Sequence, residues 1–361
     1  MSARSVSGPS KEGRIISIDA VRGLAILMML FSHGLHWFFS GTSHDIATIF
    51  QTNSIGDMAT PLFYTISGVA LYLSATSKKK SQIRAMKLHG LYAQKFAQLF
   101  LIGFILSKTW GVLQAQAVSL FAVVSLFLLL RSRFTFKTTV SLVPLAGVVS
   151  LVGHSFVASG LSPDHLLAQF FRGDFPVLAI MGINAFGFYL GYHLRNRGVG
   201  AWTTMWGMIL ISGGLLLHHV QPIERIDMSF SFIAFGMGTL LLLLFTFELP
   251  FCRMSRALSL LIAAGKDALF VFVAHYLVFF VPLYVLGLIS SFDQLPALAL
   301  SVILTVTMIR LAYWRKEVGV TVYGALGWLL SDQSTLPMLE KKLARLHISC
   351  YQSSPMDQHL W

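Results

Sequence analysis

Ionisable residues occur inside the first long apolar segment of the chain, residues 15–38. Asp19, Arg22 and His33 all lie in this segment. Because a charged side chain in the hydrocarbon of a bilayer is costly, each of the three is a candidate functional residue. Asp19 and Arg22 are three positions apart, so they can pair on one face of a helix.

The spacing of Arg22 and His33 suits an extended substrate that carries phosphate. They are eleven positions apart, which on a helix is about three turns and roughly 16 Å, with both side chains pointing nearly the same way. Arginine binds phosphate through charge-assisted hydrogen bonds, and the ordinary histidine pKa of about 6.5 suits proton transfer near neutrality. The separation is comparable to the reach of an extended pantetheine arm. The spacing leaves a structural alternative open, in which Asp19 and Arg22 form a stabilising pair and His33 is a buried histidine with a polar partner.

Other polar candidates lie in or beside later apolar segments, and each has a structural alternative. An exposed loop histidine such as His44 is usually only solvated, a lysine inside a helix often reaches back to the membrane surface, and a glutamine often bonds a neighbouring helix. A deeply placed histidine such as His275 requires a polar partner or water. These candidates are His36, His44, Asp57, Lys95, Gln114, Lys266, Asp267 and His275.

The elements that position these residues are predicted to be membrane-spanning helices. The chain is 55% hydrophobic and only 12% charged, about half the charged fraction of a soluble domain. Apolar runs of about 18–22 residues mark spanning helices, which predicts an all-α polytopic bundle of about ten. Their predicted ranges are 15–38, 58–76, 90–108, 112–130, 138–157, 174–194, 199–217, 228–249, 266–288 and 296–313.

A further apolar segment, Val318–Leu330, has 13 residues. It is short for a span and has basic residues on both sides, so we expect an interfacial or re-entrant helix rather than an eleventh span. The pattern predicts a cytoplasmic N-terminal tail at 1–13, one membrane domain at 14–331 and a cytoplasmic C-terminal tail at 332–361. No repeat of 20–50 residues is visible.

Basic residues are concentrated in alternate connections, which sets the predicted orientation. Lysine and arginine cluster before the first predicted span and after the second, fourth, sixth, eighth and tenth. This alternation predicts a cytoplasmic N-terminus and an even number of spans. The same rule accounts for the net charge of +12 without a nucleic-acid partner. The two cysteines, Cys252 and Cys350, are predicted on the cytoplasmic side, so neither a disulfide nor a metal site is expected.

Several segments resemble the transmembrane acyltransferase superfamily. The opening, from Arg14 to Met29, resembles that of the acyltransferase-3 proteins, and Arg22 and His33 match their Arg-x10-His motif. Later segments resemble the heparan-α-glucosaminide N-acetyltransferase group and follow it in order. They are the segments at 57–68, 111–114, 175–191 and 265–275.

The resemblance implies transfer of an acyl group from cytoplasmic acetyl-CoA to a glycan on the far side of the membrane. It implies a bacterial inner-membrane protein that O-acetylates a surface polysaccharide or lipopolysaccharide, or else N-acetylates a terminal glucosamine. Arg22, Asp19, Lys95, Gln114, Lys266 and His275 are the expected donor-binding residues. His33, His44 and Asp57 are the expected catalytic residues, with Asp57 orienting the base.

The chain also departs from both patterns. The acyltransferase-3 base aligns with His33, whereas the essential histidine of the second group aligns near His44, so both remain candidates. The acyltransferase-3 arginine pair of the third helix is missing, and Lys95 is the nearest cation. Ala268 and Phe272 replace a serine and a tyrosine of the late segment.

The sequence leaves the route of acetyl transfer, the oligomeric state and a non-enzymatic alternative open. The acetyl group can pass directly to the acceptor or through an acetyl-histidine. The oligomeric state is undetermined, a homodimer among the options. A transporter is the non-enzymatic alternative, although inverted repeats, common in transporters, are not evident.

Overall fold

The described residues of the computed structural model form a bundle of long helices. They comprise 15–40, 56–77, 85–107, 110–160, 171–225, 228–253 and 255–318. His44, both predicted tails and the apolar segment after Val318 lie outside these ranges. The helices are α1 Ile16–Phe38, α2 Ala59–Ala75, α3 Ala85–Ser107, α4 Val112–Arg131, α5 Phe136–Gly160, α6 Val177–Arg197, α7 Ala201–His218, α8 Phe230–Glu248, α9 Arg256–Lys266, α10 Ala268–Val285 and α11 Gln294–Val318.

The predicted polytopic helical bundle is confirmed. Eight of the helices are long and apolar enough to cross a membrane, and α2 and α7, with 17 and 18 residues, occupy the two other predicted spans. Helices suit this composition because each helix pairs its own backbone N–H and C=O groups. The hydrocarbon of a bilayer offers these groups no hydrogen-bond partner. Apart from a single-turn helix at Pro250–Arg253, the helix that sequence analysis missed among the described residues is α9. Its 11 residues are too few to span.

Helix α9 packs closely across the first half of α1. A Cβ atom added to Gly23 would overlap the carbonyl oxygen of Leu261, and one added to Gly265 would overlap that of Asp19. The two backbones therefore approach each other through glycines, as is common where membrane helices cross. This crossing brings the end of α9 beside Asp19 and Arg22.

The connections fall at two ends of the bundle. We call the end at which α1 begins the proximal end and the end at which α2 begins the distal end. At the proximal end, Arg195 of α6 donates a 2.9 Å hydrogen bond to the carbonyl of Thr76, which follows α2. At the distal end, Trp110 before α4 donates a 3.0 Å hydrogen bond to the carbonyl of Phe175 before α6.

The distal end of α1 is tied to the connection between α10 and α11. The backbone N–H of Ser290 donates to the carbonyl of Trp37 at 2.7 Å, and that of Phe292 donates to the carbonyl of Phe38 at 2.9 Å. The backbone N–H of Ser40 donates in turn to the carbonyl of Phe292 at 2.9 Å. These bonds fix the last turn of α1, and with it the position of Trp37.

The crossing of α2 and α6 gives a testable consequence. A Cβ atom at Gly187 would overlap the carbonyl oxygen of Thr65, whereas nothing lies within 4 Å of one placed at Gly90. We expect Gly187→Ala to lower stability by about 1–3 kcal/mol, the usual cost of overpacking. Thermal unfolding in detergent should show a lower midpoint for Gly187→Ala than for the control Gly90→Ala. Equal midpoints would contradict this tight crossing.

Candidate active site

A cavity of about 470 Å³ opens at the distal end of the bundle. Its volume lies within the range of small-molecule binding sites. Helices α1, α2, α3, α4 and α10 form its walls, together with the segments before α6 and α8. Among the residues singled out in the sequence, His33, His36, Asp57 and Gln114 line it directly.

Two histidines from distant parts of the chain meet at the wall of this cavity. Nδ1 of His33, on α1, lies 3.0 Å from Nε2 of His275, on α10. Nδ1 of His275 lies 3.2 Å from the carbonyl oxygen of Val271. His275 is fully buried, so His33 supplies the polar partner that a histidine at this depth requires.

The hydrogen-bond partners assign the tautomers of the two rings. A carbonyl oxygen only accepts, so Nδ1 of His275 carries its proton and donates to Val271. In the neutral ring Nε2 of His275 is then an acceptor, and Nδ1 of His33 donates to it. The remaining nitrogen of His33, Nε2, therefore carries a lone pair. This is the arrangement of a general base held by a second histidine.

Aromatic rings pack against both imidazoles of the histidine pair. Trp37 stacks on His275 with ring centres 5.2 Å apart and planes 13° apart. Tyr276 contacts the edge of His33 with ring centres 6.2 Å apart. Trp37 and Tyr276 also line the cavity, so these rings both fix the imidazoles and shape the binding space.

A break in regular helix geometry follows His275. The backbone N–H of Val281 bonds the carbonyl of Tyr276, five residues earlier, which makes one π-helical turn over Tyr276–Phe280. Pro282 explains the break, since its ring has no N–H and clashes with the carbonyl four residues before it. Such turns frequently mark functional sites, and here the turn begins at Tyr276, which faces the cavity.

An ion network stands at the edge of the cavity. Nε of Arg225 lies 2.8 Å from Oδ1 of Asp57, and Nη2 of Arg225 lies 3.1 Å from Oδ1 of Asp174. The Asp57 side chain is 12% exposed and that of Asp174 is 57% exposed. Asp57 thus lies on the inner side of the arginine and Asp174 on the outer side. All three residues line the cavity.

Sequence analysis missed Arg225 and Asp174. Arg225 is the only lysine or arginine between 219 and 229, a connection predicted to lie on the side poor in basic residues. A single arginine in such a connection was the signal in the sequence that could have marked Arg225 as a functional candidate. Its partners could not be identified, because Asp57, Asp174 and Arg225 come from three separate connections.

The connection that carries Arg225 is firmly braced. The backbone N–H of Glu224 donates to the hydroxyl of Ser229 at 3.2 Å, and the hydroxyl of Ser231 donates to the carbonyl of Pro222 at 2.9 Å. Met228 is buried and has a φ of 44°, a conformation costly for a residue with a side chain. A strained residue persists only where its surroundings hold it, which agrees with the burial of Met228.

Gln114 lies in the wall between α3 and α4. Its side-chain amide donates a 2.9 Å hydrogen bond to the hydroxyl of Ser107, so the predicted contact between helices is present. A Cβ atom at Gly103 would come within 2.7 Å of its Oε1. Glycine at that position therefore leaves the room that the amide occupies.

The remaining predicted residues lie away from this cavity. The predicted pair of Asp19 and Arg22 is present, with 3.5 Å between Oδ1 and Nη1, and Arg22 also donates to the carbonyl of Gly265 at 3.4 Å. Lys266, at the end of α9, is exposed, and so is Lys95, near the middle of α3. The structure thus separates a distal group around His33 from these residues, while His44 lies outside the described part.

Part of the chain is similar to known acyltransferases. Residues 15–119 match the family model described as an acyltransferase domain. Heparan-alpha-glucosaminide N-acetyltransferase of Homo sapiens is 30% identical over 133 residues, covering 32% of this chain and 19% of that protein. The Mus musculus protein of the same name is 29% identical over 131 residues, with the same coverage. The chain therefore matches about a fifth of the length of these relatives, and the resemblance to the transmembrane acyltransferases is confirmed.

The ion network makes a stability prediction. Arg225→Met removes the cation beside the largely buried Asp57 carboxylate, and breaking a buried ion pair costs up to about 5 kcal/mol. Because this pair is partly exposed, we expect a fall of about 2–6 °C in the midpoint of thermal unfolding in detergent. Asp57→Asn combined with Arg225→Met should recover part of the loss.

Asp174→Asn is the matched control for this experiment. It removes the other carboxylate from the same arginine, but an exposed ion pair contributes only about 0–1 kcal/mol. Equal destabilisation by Arg225→Met and Asp174→Asn would show that the Arg225–Asp57 contact adds nothing to stability beyond the Arg225–Asp174 contact.

Proposed function

We propose that this protein is a membrane-embedded acyltransferase that moves an acetyl group from acetyl-CoA to a glycan hydroxyl at the distal end of the bundle. The observation that carries the proposal is the His33–His275 pair in the wall of the distal cavity. His33 lies within the segment that matches the acyltransferase domain. The proposal combines that match with a base nitrogen in a space large enough for a sugar.

The proposed reaction begins with proton abstraction by His33. Its Nε2 takes the proton from the acceptor hydroxyl as the hydroxyl oxygen attacks the thioester carbonyl carbon. The new C–O bond forms, the C–S bond breaks, and the coenzyme A thiolate takes the proton from the His33 imidazolium. Atoms and charge balance without a further reactant.

His275 has a positioning role in this scheme. Its Nε2 accepts a hydrogen bond from the Nδ1–H of His33, which holds the His33 ring in the tautomer with a lone pair on Nε2. The structure therefore suggests a different role for His275 from the donor contact expected from the sequence. The carbonyl of Val271 fixes the proton of His275 in turn.

The charge at the cavity mouth bears on the acceptor. Among the described residues of this network, Asp57 and Asp174 carry two negative charges and Arg225 carries one positive charge, which gives these three residues a formal charge of −1. This charge disfavours a phosphate or carboxylate on the reacting sugar and suits a neutral or cationic group. Trp37, Trp110 and Tyr276 add aromatic surface to the same cavity.

The donor is proposed to enter from the proximal end. We propose that this end faces the cytoplasm across a bacterial inner membrane, because the basic residues of the alternate connections favour that orientation and acetyl-CoA is a cytoplasmic compound. Arg22 lies on α1 eleven positions before His33, so an extended pantetheine arm spans the distance of roughly 16 Å between them. Lys266 and Lys95 are the further cations proposed to meet the phosphates.

N-acetylation of a terminal glucosamine is the second candidate function. The matched relatives are named for N-acetylation of heparan α-glucosaminide. A protonated amine is compatible with the charge of Asp57, Asp174 and Arg225. It first releases one proton to solvent, and His33 then takes the second proton as the neutral amine attacks and passes it to the coenzyme A thiolate. The two functions differ in the acceptor atom and share the same machinery.

The proposed base can be tested by mutation. His33→Ala should lower acetyl transfer by about 10²–10⁴-fold, the usual contribution of a general base. His275→Ala should lower kcat with little change in the KM of the acceptor, because it acts through His33. The assay is mass spectrometry of glycans incubated with the purified protein and acetyl-CoA, which also identifies the acetylated atom.

Two further histidine variants complete this test. His89→Ala is the control, since His89 on α3 bonds Ser125 at 2.9 Å and does not line the distal cavity; it should retain activity. His44→Ala distinguishes the second candidate base. An inactive His44→Ala beside a fully active His33→Ala would assign the base to His44 and overturn the scheme above.

Arg22 is tested by donor binding. Arg22→Ala should weaken the binding of coenzyme A by about tenfold or more, because a charge-assisted bond to phosphate is lost. Isothermal titration with coenzyme A measures the effect, and Arg195→Ala is the control, a proximal arginine that bonds Thr76. Unchanged affinity together with a lower unfolding temperature would limit Arg22 to bridging α1 and α9.

A further inference from the structure

A second cavity, of about 300 Å³, opens at the same distal end. The end of α5 forms one wall, and the segments before α6 and α8 form the others. These last two segments also wall the first cavity: Arg172 and Glu224 face the second cavity, whereas Asp174 and Arg225 face the first. The two cavities are therefore neighbours on either side of the same pair of segments.

The partition between the cavities contains an ion pair. Arg225 from one segment bonds Asp174 from the other at 3.1 Å, and the Asp174 side chain is 57% exposed. Arg225 is anchored from behind by Asp57, whereas Asp174 is at the surface. A ligand that extends past Asp174 can therefore contact both cavities at once.

Polar and apolar residues both line the second cavity. The polar ones include His154, Ser155, Arg172, Gln221, Glu224 and Ser229. Among the described lining residues, the charged ones are Arg172 and Glu224, whose formal charges cancel. Such a lining suits a hydroxyl-rich, uncharged ligand better than an acyl chain, since burying polar groups against an apolar chain is costly. At the edge of this cavity the backbone N–H of Phe230 donates to Oε1 of Gln221 at 3.1 Å.

We propose that the two cavities are adjacent subsites of one acceptor cleft, and that the second binds the sugar next to the one that is acetylated. The inference rests on the proposed function, because it takes the first cavity as the site of transfer. It specifies the substrate class as a glycan of at least two linked sugars. The bond between the two sugars lies over the Arg225–Asp174 pair.

The test compares sugars of one and two units on the full-length protein. The probes are glucosamine with its β-1,4-linked disaccharide, and glucose with cellobiose. We expect the disaccharide of at least one pair to bind about tenfold more tightly than its monosaccharide, equivalent to about 1.4 kcal/mol, and to show a higher kcat/KM for acetyl transfer. Direct binding is measured by titration, independently of turnover.

A cavity-filling variant tests whether the second cavity causes the preference for the disaccharide. Ser155 lines the second cavity and is half-buried. Ser155→Leu should therefore lower the ratio of disaccharide to monosaccharide affinity to about one, with the affinity for the monosaccharide unchanged. Ser141→Leu is the control on the same helix, because Ser141 is exposed and outside the cavity. A second variant, Glu224→Gln, should weaken disaccharide binding without filling the space.

The outcomes separate the two proposals. Equal binding of both members of each pair, or a preference that survives both Ser155→Leu and Glu224→Gln, overturns the two-subsite cleft. Selective disaccharide binding that Ser155→Leu abolishes supports the cleft even if no acetyl group is transferred. In that case the absence of acetylation counts against the proposed function alone.

Discussion

A polar group inside a bilayer must find its hydrogen-bond partner within the protein, because the hydrocarbon offers none. The backbone meets this demand by forming helices, and two pairs of side chains meet it across helices. Gln116 of α4 and Asn184 of α6 exchange two hydrogen bonds, at 3.1 and 3.3 Å, in the interior. His33 and His275 meet the same demand at the cavity wall. In the second pair the constraint has a chemical result, because it fixes which nitrogen of His33 keeps its lone pair.

The two ends of the bundle differ in how they hold charge. At the proximal end, Arg22 joins α1 to the carbonyl at the end of α9, and Arg315 of α11 lies 3.3 Å from Asp267 and over the ring of Phe270. At the distal end, Arg225 joins two connections around an open cavity. Arg22 and Arg315 therefore connect helices at the proximal end, while Arg225 borders a binding space at the distal end. That asymmetry agrees with a donor and an acceptor that approach from opposite sides.

The match to the acyltransferase domain ends at residue 119, yet the site extends beyond it. His33, Asp57 and Gln114 lie inside the matched region, whereas His275 and Arg225 lie outside it. The proposed base thus belongs to the part shared with known proteins. His275, which is proposed to orient that base, and Arg225, which joins two connections at the cavity, lie after the matched region.

The sequence by itself determined the membrane class and the ten predicted helices, because apolar runs of spanning length have one stable form in a bilayer. It also placed Asp19 beside Arg22, since both lie on one helix and local spacing sets their distance. It did not identify α9, which is too short to span and is held by its glycine crossing with α1. Nor did it join His33 to His275, or Asp57 and Asp174 to Arg225. These contacts link positions far apart in the chain, and only the packing of the helices decides which of them meet.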